Sequence, residues 1–149
     1  MTFSTRAVRR TDAMAWVNMR HDLWPHAGLD DLSLTVDAFF DGGTPLIAAA
    51  FLACDGDAAL GFIEVSLRPY VPGTHAVPAP FVEGWYVRPE FRGRGVGRAL
   101  VRAAEAWARE RGDRHLGSDA QVENTASAAA HRALGFRVVE TVHFFVKEL

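Results

Sequence analysis

From position 82 the chain reads Val82-Glu83-Gly84-Trp85-Tyr86-Val87-Arg88-Pro89-Glu90-Phe91-Arg92-Gly93-Arg94-Gly95-Val96-Gly97-Arg98, an apolar strand running into a loop of alternating Arg and Gly that opens a long helix. Strand and helix signals alternate along the whole chain, which gives an α/β (α+β) layout. Glycines at 93, 95 and 97 remove the Cβ atoms that would hold an anion away from the backbone, and the first helical turn offers N–H groups without partners in the chain. With the positive end of the helix dipole, those donors make a diphosphate cradle. The plainer reading is a Gly-rich turn before an Arg-faced surface helix.

The loop lacks the Lys-Ser/Thr pair of a Walker A motif, since Arg98-Ala99 follows Gly97, and its glycines are too closely spaced for a dinucleotide-binding loop. At 149 residues, about half of them apolar, the chain is expected to be one domain over 1–149. The start has no apolar run of signal-peptide length and no segment approaches membrane-spanning length, so a cytoplasmic protein is expected. A single Cys54 allows no internal disulfide and reads as a small buried residue at a strand end. The net charge of −2 gives no footprint for nucleic acid. Six His without H-E-x-x-H or paired-Cys spacing give no metal site.

Strand and helix signals alternate. We expect a strand over 3–9, a helix capped by Thr11 and stopped by Pro25, a helix over 34–40, and strands over 46–53 and 60–68 joined at Asp55-Gly56-Asp57. A Pro-rich loop over 69–80 follows, then a strand over 81–88, a helix over 95–111 ended by Gly112, a strand over 115–118, a helix over 124–134 ended by Gly135, and strands over 136–147. In the long helix Val96, Leu100, Ala103, Ala104 and Trp107 form an apolar stripe, with Glu105 and Arg109 an i,i+4 pair on the other face.

Arg92-x-x-Gly95-x-Gly97 resembles the acyl-CoA signature of the GCN5-related N-acetyltransferase superfamily, and Asn124 with His131-Arg132-Ala133-Leu134-Gly135-Phe136 resembles its second mark, with His131 where relatives often carry Tyr. Met19-Arg20-His21-Asp22-Leu23-Trp24-Pro25, the block from Glu64 through Pro69-Tyr70 to Thr74, Phe81 to Val87, Ser118-Asp119 and Leu134 to Thr141 resemble the aminoglycoside 6'-N-acetyltransferases in the same order. The resemblance implies a mixed, mostly antiparallel sheet flanked by helices, splayed at the acetyl-CoA site, and a homodimer, which the alternation of Val142, Phe144 and Val146 also suits. It implies aminoglycoside contacts from Trp24, His26, Tyr70, Glu83, Asp119 and Glu140. Acetyl-CoA, the cosubstrate, falls to the backbone of Trp85, Tyr86 and Val87, to Arg92, Gly93, Arg94, Gly95, Val96, Gly97 and Arg98, and to Asn124. No metal is implied.

The chemistry favours the same residues. A polycationic amino sugar needs carboxylates spread over several elements. Glu83 interrupts an apolar strand, where an unpaired charge is costly; Asp119 also reads as a turn former, Glu140 as an edge-strand charge, and Trp24 and Tyr70 as core aromatics. Glu83 through a water, or Asp119 directly, is expected to take the proton of the attacking amine, both serving primarily as cation binders. Asn124, Ser127 and His131 share one helix face, and His131 reads equally as a general acid for the departing thiolate or as an interface His. A splay of the strand carrying Trp85 and Val87, from a bulge at Gly84, is expected to expose N–H groups to the thioester oxygen. Acetylation of another amine such as a polyamine, and a non-catalytic acyl-CoA sensor, are the alternatives.

Overall fold

The computed structural model describes residues 1–149. Five strands, β1 (Ser4–Ala7), β2 (Ala49–Asp55), β3 (Ala58–Arg68), β4 (Ala79–Val87) and β5 (Gly117–Ser118), form one sheet in sequence order. The first four are antiparallel, and β4 pairs with β5 in parallel. Helices α1 (Ala13–Leu23) and α2 (Leu29–Asp41) cover one face; α3 (Val96–Glu110) covers the other, and α4 (Thr125–Ala133) follows β5.

Period-two alternation along the strands feeds two cores. Phe62 and Tyr86 join Trp16, Met19 and Val36 beneath α1 and α2. Ile63, Val65 and Val82 join Val96, Leu100 and Ala104 beneath α3, with Trp85 and Val87 packed at its margin. Each fully buried side chain of this size contributes roughly 1.5–3 kcal/mol, so both faces are firmly seated. The sequence expectation of a mixed, mostly antiparallel sheet flanked by helices is met.

Three local expectations change. The start of α1 is organised by Asp12 rather than Thr11: Asp12 Oδ2 accepts from the Arg9 amide at 2.7 Å and from Arg6 Nη1 at 2.7 Å. The second helix begins earlier, because Gly28 leaves the chain extended before Leu29 and Asp30 and Asp31 favour its positive end. Residues 137–149 contain no strand, although 136–147 alternate as strands should. Val139 packs on Gly73, and beyond it Phe144 and Val146 are almost fully exposed. Alternation sets a preference, but a strand forms only beside a partner edge, and this segment lies against none.

Candidate active site

β4 is the axis of the site. Its register with β3 runs from Glu64 opposite Gly84 to Val65 opposite Val82, so Glu83 is an extra residue. The bulge falls one residue before the glycine expected to carry it. In an unbroken strand, Glu83 would share the face of Trp85 and Val87 and point into the α3 core. The bulge instead lets Val82 face α3 while Glu83 and Gly84 both face α1. Gly84 is required here by close approach, since a Cβ would stand 2.8 Å from the Trp24 ring.

On the α1 side a cleft of about 590 Å³ is lined by Arg20, Trp24, Glu64, Ser66, Arg68 and Glu83, among others. Glu64, Ser66 and Arg68 lie two residues apart on β3 and face the same way. Arg68 donates to Glu83 through Nε at 2.7 Å and Nη2 at 2.8 Å, while Ser66 Oγ donates to Glu83 Oε1 at 2.6 Å. The guanidinium lies 3.7 Å above the Phe81 ring centre. Burial pushes the Glu83 carboxyl up, but the hydrogen bonds from Arg68 and Ser66 outweigh it and leave the group below the ordinary carboxylate range.

Deeper in the cleft, Glu64 is 1% exposed. Arg20 reaches it through Nε at 3.0 Å and Nη2 at 3.1 Å, Trp16 Nε1 donates to it at 3.1 Å, and Arg20 Nη1 donates to the Leu32 carbonyl at 3.0 Å. The Arg20 guanidinium also covers Trp24 at 5.2 Å. One arginine thus ties α1, α2, β3 and the aromatic wall together.

On the opposite side of β4, the main chain is exposed. β5 pairs only at Phe81 with Gly117 and Val82 with Ser118, and past that point β4 has no neighbour on this edge. Arg88 N–H donates to the Leu60 carbonyl on β3. By antiparallel alternation, Tyr86 also turns its amide to β3, while Trp85 and Val87 turn theirs into the gap. Arg92 Nε holds the Val87 carbonyl at 2.8 Å.

The Arg/Gly loop closes this gap. Gly95, at φ +85°, occupies the left-handed region at the N-terminus of α3, a conformation that an L side chain adopts only at a cost. Trp85 Nε1 donates to the Gly97 carbonyl at 3.2 Å and a Cβ on Gly97 would meet the indole at 3.3 Å. Arg94 and Arg98 are exposed beside the helix start, and Val96 contributes only main chain, its side chain being in the core. This glycine-lined helix N-terminus with two free cations fits a diphosphate, and the adjacent amides of Trp85 and Val87 fit a thioester carbonyl.

At the fork between β4 and β5 sits His131. Its Nδ1 is 2.7 Å from the Ser127 carbonyl, which accepts only, so Nδ1 carries the hydrogen of the neutral ring and Nε2 accepts from Ser118 Oγ at 2.7 Å. The ring meets Trp85 and Phe136 edge-on. Asn124 caps α4, its Oδ1 accepting from the Ser127 amide at 3.1 Å, which leaves its NH2 free.

The acetyltransferase (GNAT) family model matches residues 13–136. An aminoglycoside N(6')-acetyltransferase type 1 of Stenotrophomonas maltophilia is 46% identical over 94% of this chain and 90% of that protein. One from Klebsiella aerogenes is 43% identical over 97% and 95%. Among solved structures, AAC(6')-Iy in complex with the bisubstrate analogue CoA-S-monomethyl-acetylneamine superposes with a TM-score of 0.90 at 33% identity, covering all of both chains. The chain belongs to the GNAT acetyltransferases, among the aminoglycoside 6'-N-acetyltransferases.

Of the residues that this resemblance singles out in the acetyltransferase, Trp24 and Glu83 line one cleft and Tyr70 stands at its rim beside Pro69, 70% exposed. Asp119 is exposed at the end of β5, near enough for its charge to act on Arg68. His26 and Glu140 are exposed and do not line the cleft. Arg20, Glu64, Ser66 and Arg68 were given no role from sequence. For the three on β3 the signal was the polar row Glu64-x-Ser66-x-Arg68 at period two in an apolar strand; Arg20, on α1, carried none.

Proposed function

We propose that this acetyltransferase moves the acetyl group of acetyl-CoA to the 6'-amine of an aminoglycoside by direct attack in a ternary complex. The bulge at Glu83 carries the reading, because it turns that carboxylate into the α1-side cleft within a few residues of the Trp85 and Val87 amides, which antiparallel alternation turns into the gap beside β5.

The α3 N-terminus, Arg94 and Arg98 hold the diphosphate, and the Asn124 amide group takes the pantetheine arm. Trp85 and Val87 N–H polarise the thioester oxygen in a site that needs no reorganisation. Trp24 and Tyr70 wall the sugar, and Glu83 and Asp119 take its ammonium groups and hydroxyls. The approach of the two substrates across β4 supplies much of the rate. Asp119, outside the ion-paired cleft, takes the proton of the attacking ammonium, while Glu83 binds. When protonated, His131 donates from Nε2 to Ser118 Oγ, which frees the serine hydrogen for the leaving sulfur.

We also infer a cytoplasmic homodimer. The exposed Val142, Phe144 and Val146 of the C-terminal segment support association, and sedimentation of the full chain at twice the monomer mass tests it. The activity is tested by acetyl-CoA-dependent thiol release with kanamycin or tobramycin beside an analogue lacking the 6'-amine. Release with the parent drug and none with the analogue is expected; release with neither, or equally with both, contradicts the assignment.

A further inference from the structure

The cleft expected to collect cations already contains two. Arg20 neutralises Glu64 and Arg68 neutralises Glu83, both by two-pronged pairing, so neither carboxylate is a free anion waiting for substrate. This changes what Glu83 can offer. An ionised carboxylate has about four acceptor positions. Oε1 accepts from Arg68 Nε and Ser66 Oγ, and Oε2 accepts from Arg68 Nη2, which leaves about one position, on Oε2.

We propose that Arg68 is a positioning residue for the acceptor amine: its fork, seated on Phe81, fixes the Glu83 carboxylate so that a single acceptor position on Oε2 remains for one substrate ammonium or hydroxyl. The inference rests on reading the cleft as the acceptor site. Three features support a built device. β3 sets Ser66 and Arg68 on one face, the bulge brings Glu83 across to them, and the Phe81 ring fixes the plane of the guanidinium. A lysine has the charge but neither the fork nor the stacking plane.

Recognition is then directional rather than a matter of bulk charge. A rigid ring system that presents an amine at one place uses the remaining Oε2 position; a flexible polyamine pays ordering entropy to reach it. Arg68 also keeps Glu83 ionised against its burial, with Ser66 assisting from β3. The other charges that bear on the pair are Glu64 with its partner Arg20 on the cleft floor and Asp119 beyond Arg68. Trp24 faces the same cleft from the end of α1.

The test is steady-state kinetics of wild type, Arg68→Gln and Arg68→Lys at pH 6 and pH 8, varying tobramycin and acetyl-CoA separately, with thermal midpoints to check folding. Carboxyl ¹³C resonances of Glu83 are followed in parallel, assigned with Glu83→Gln. The expected result is a rise of about tenfold in tobramycin KM for Arg68→Gln, the effect of roughly one charge-assisted hydrogen bond, with acetyl-CoA KM unchanged. The rise is larger at pH 6, Arg68→Lys is intermediate, and the Glu83 titration moves upward. A lower tobramycin KM would make Arg68 a rival cation and overturn the proposal. Equal changes in both KM values, or an unmoved Glu83 titration, would overturn it as well. If Arg68→Gln does not fold, Arg68→Lys carries the same KM and titration readouts. Should wild type acetylate some other amine but not tobramycin, the aminoglycoside reading falls, while the Glu83 titration still decides whether Arg68 holds that carboxylate.

Discussion

The two sides of β4 solve opposite problems with different materials. Toward α3 and the gap beside β5, the proposed donor side presents main chain: amides of Trp85 and Val87, the left-handed Gly95 and the first turn of a helix. Toward α1, the proposed acceptor side presents charged side chains, each carboxylate gripped by an arginine, with the Arg20 guanidinium lying over Trp24. A diphosphate and a thioester are the same in every turnover, so fixed backbone donors suffice. An amino sugar must be read by position, which side chains do through pairings that can be broken one at a time.

The most damaging way to probe the contrast is Arg20→Met, which leaves Glu64 buried without its cation. We expect a loss of about 3–5 kcal/mol in urea unfolding, and partial recovery in the double variant with Glu64→Gln. Gly84→Ala comes next, because its methyl drives into the Trp24 ring; about 1–3 kcal/mol of overpacking and a higher aminoglycoside KM are expected, with CoA affinity by calorimetry unchanged. Gly95→Ala reverses that pattern. Its left-handed φ costs roughly 1–2 kcal/mol, and CoA binding weakens while aminoglycoside KM holds. If either glycine variant disturbs both substrates equally, the two sides are not separable.

The smallest effect concerns pH. Glu83 is held below its unfolded value, so its contribution to stability is complete above the ordinary carboxylate range and is lost as pH falls through the lower folded value. Wild type is therefore expected to lose on the order of 1 kcal/mol more than Glu83→Gln between about pH 5 and pH 3, read by denaturant midpoints. No such difference would mean that Arg68 does not hold the carboxylate.

The passage from β4 into α3 was legible in the sequence, because glycines at 93, 95 and 97 after a strand mark a left-handed turn before a helix N-terminus, and Gly93 and Gly95 take that conformation. Glu83 was legible as a charge in an apolar strand. Its partner was not: Arg68 closes the strand before a Pro-rich loop, where an arginine is ordinary, and only the bulge brings the two together. Arg20 and Glu64 lie 44 positions apart, one on a helix and one on a strand, and no local pattern records such a pairing. The C-terminal segment shows the reverse, since Val142, Phe144 and Val146 alternate as a strand should while the chain leaves them without a neighbour.

The most direct measurement is Glu83→Gln in two experiments on one preparation: calorimetric titration with CoA, and initial rates with tobramycin. Unchanged CoA affinity with kcat/KM for tobramycin lowered by at least about tenfold is the expected result. Weakened CoA binding, or unimpaired kcat/KM for tobramycin, would contradict the division of labour across β4.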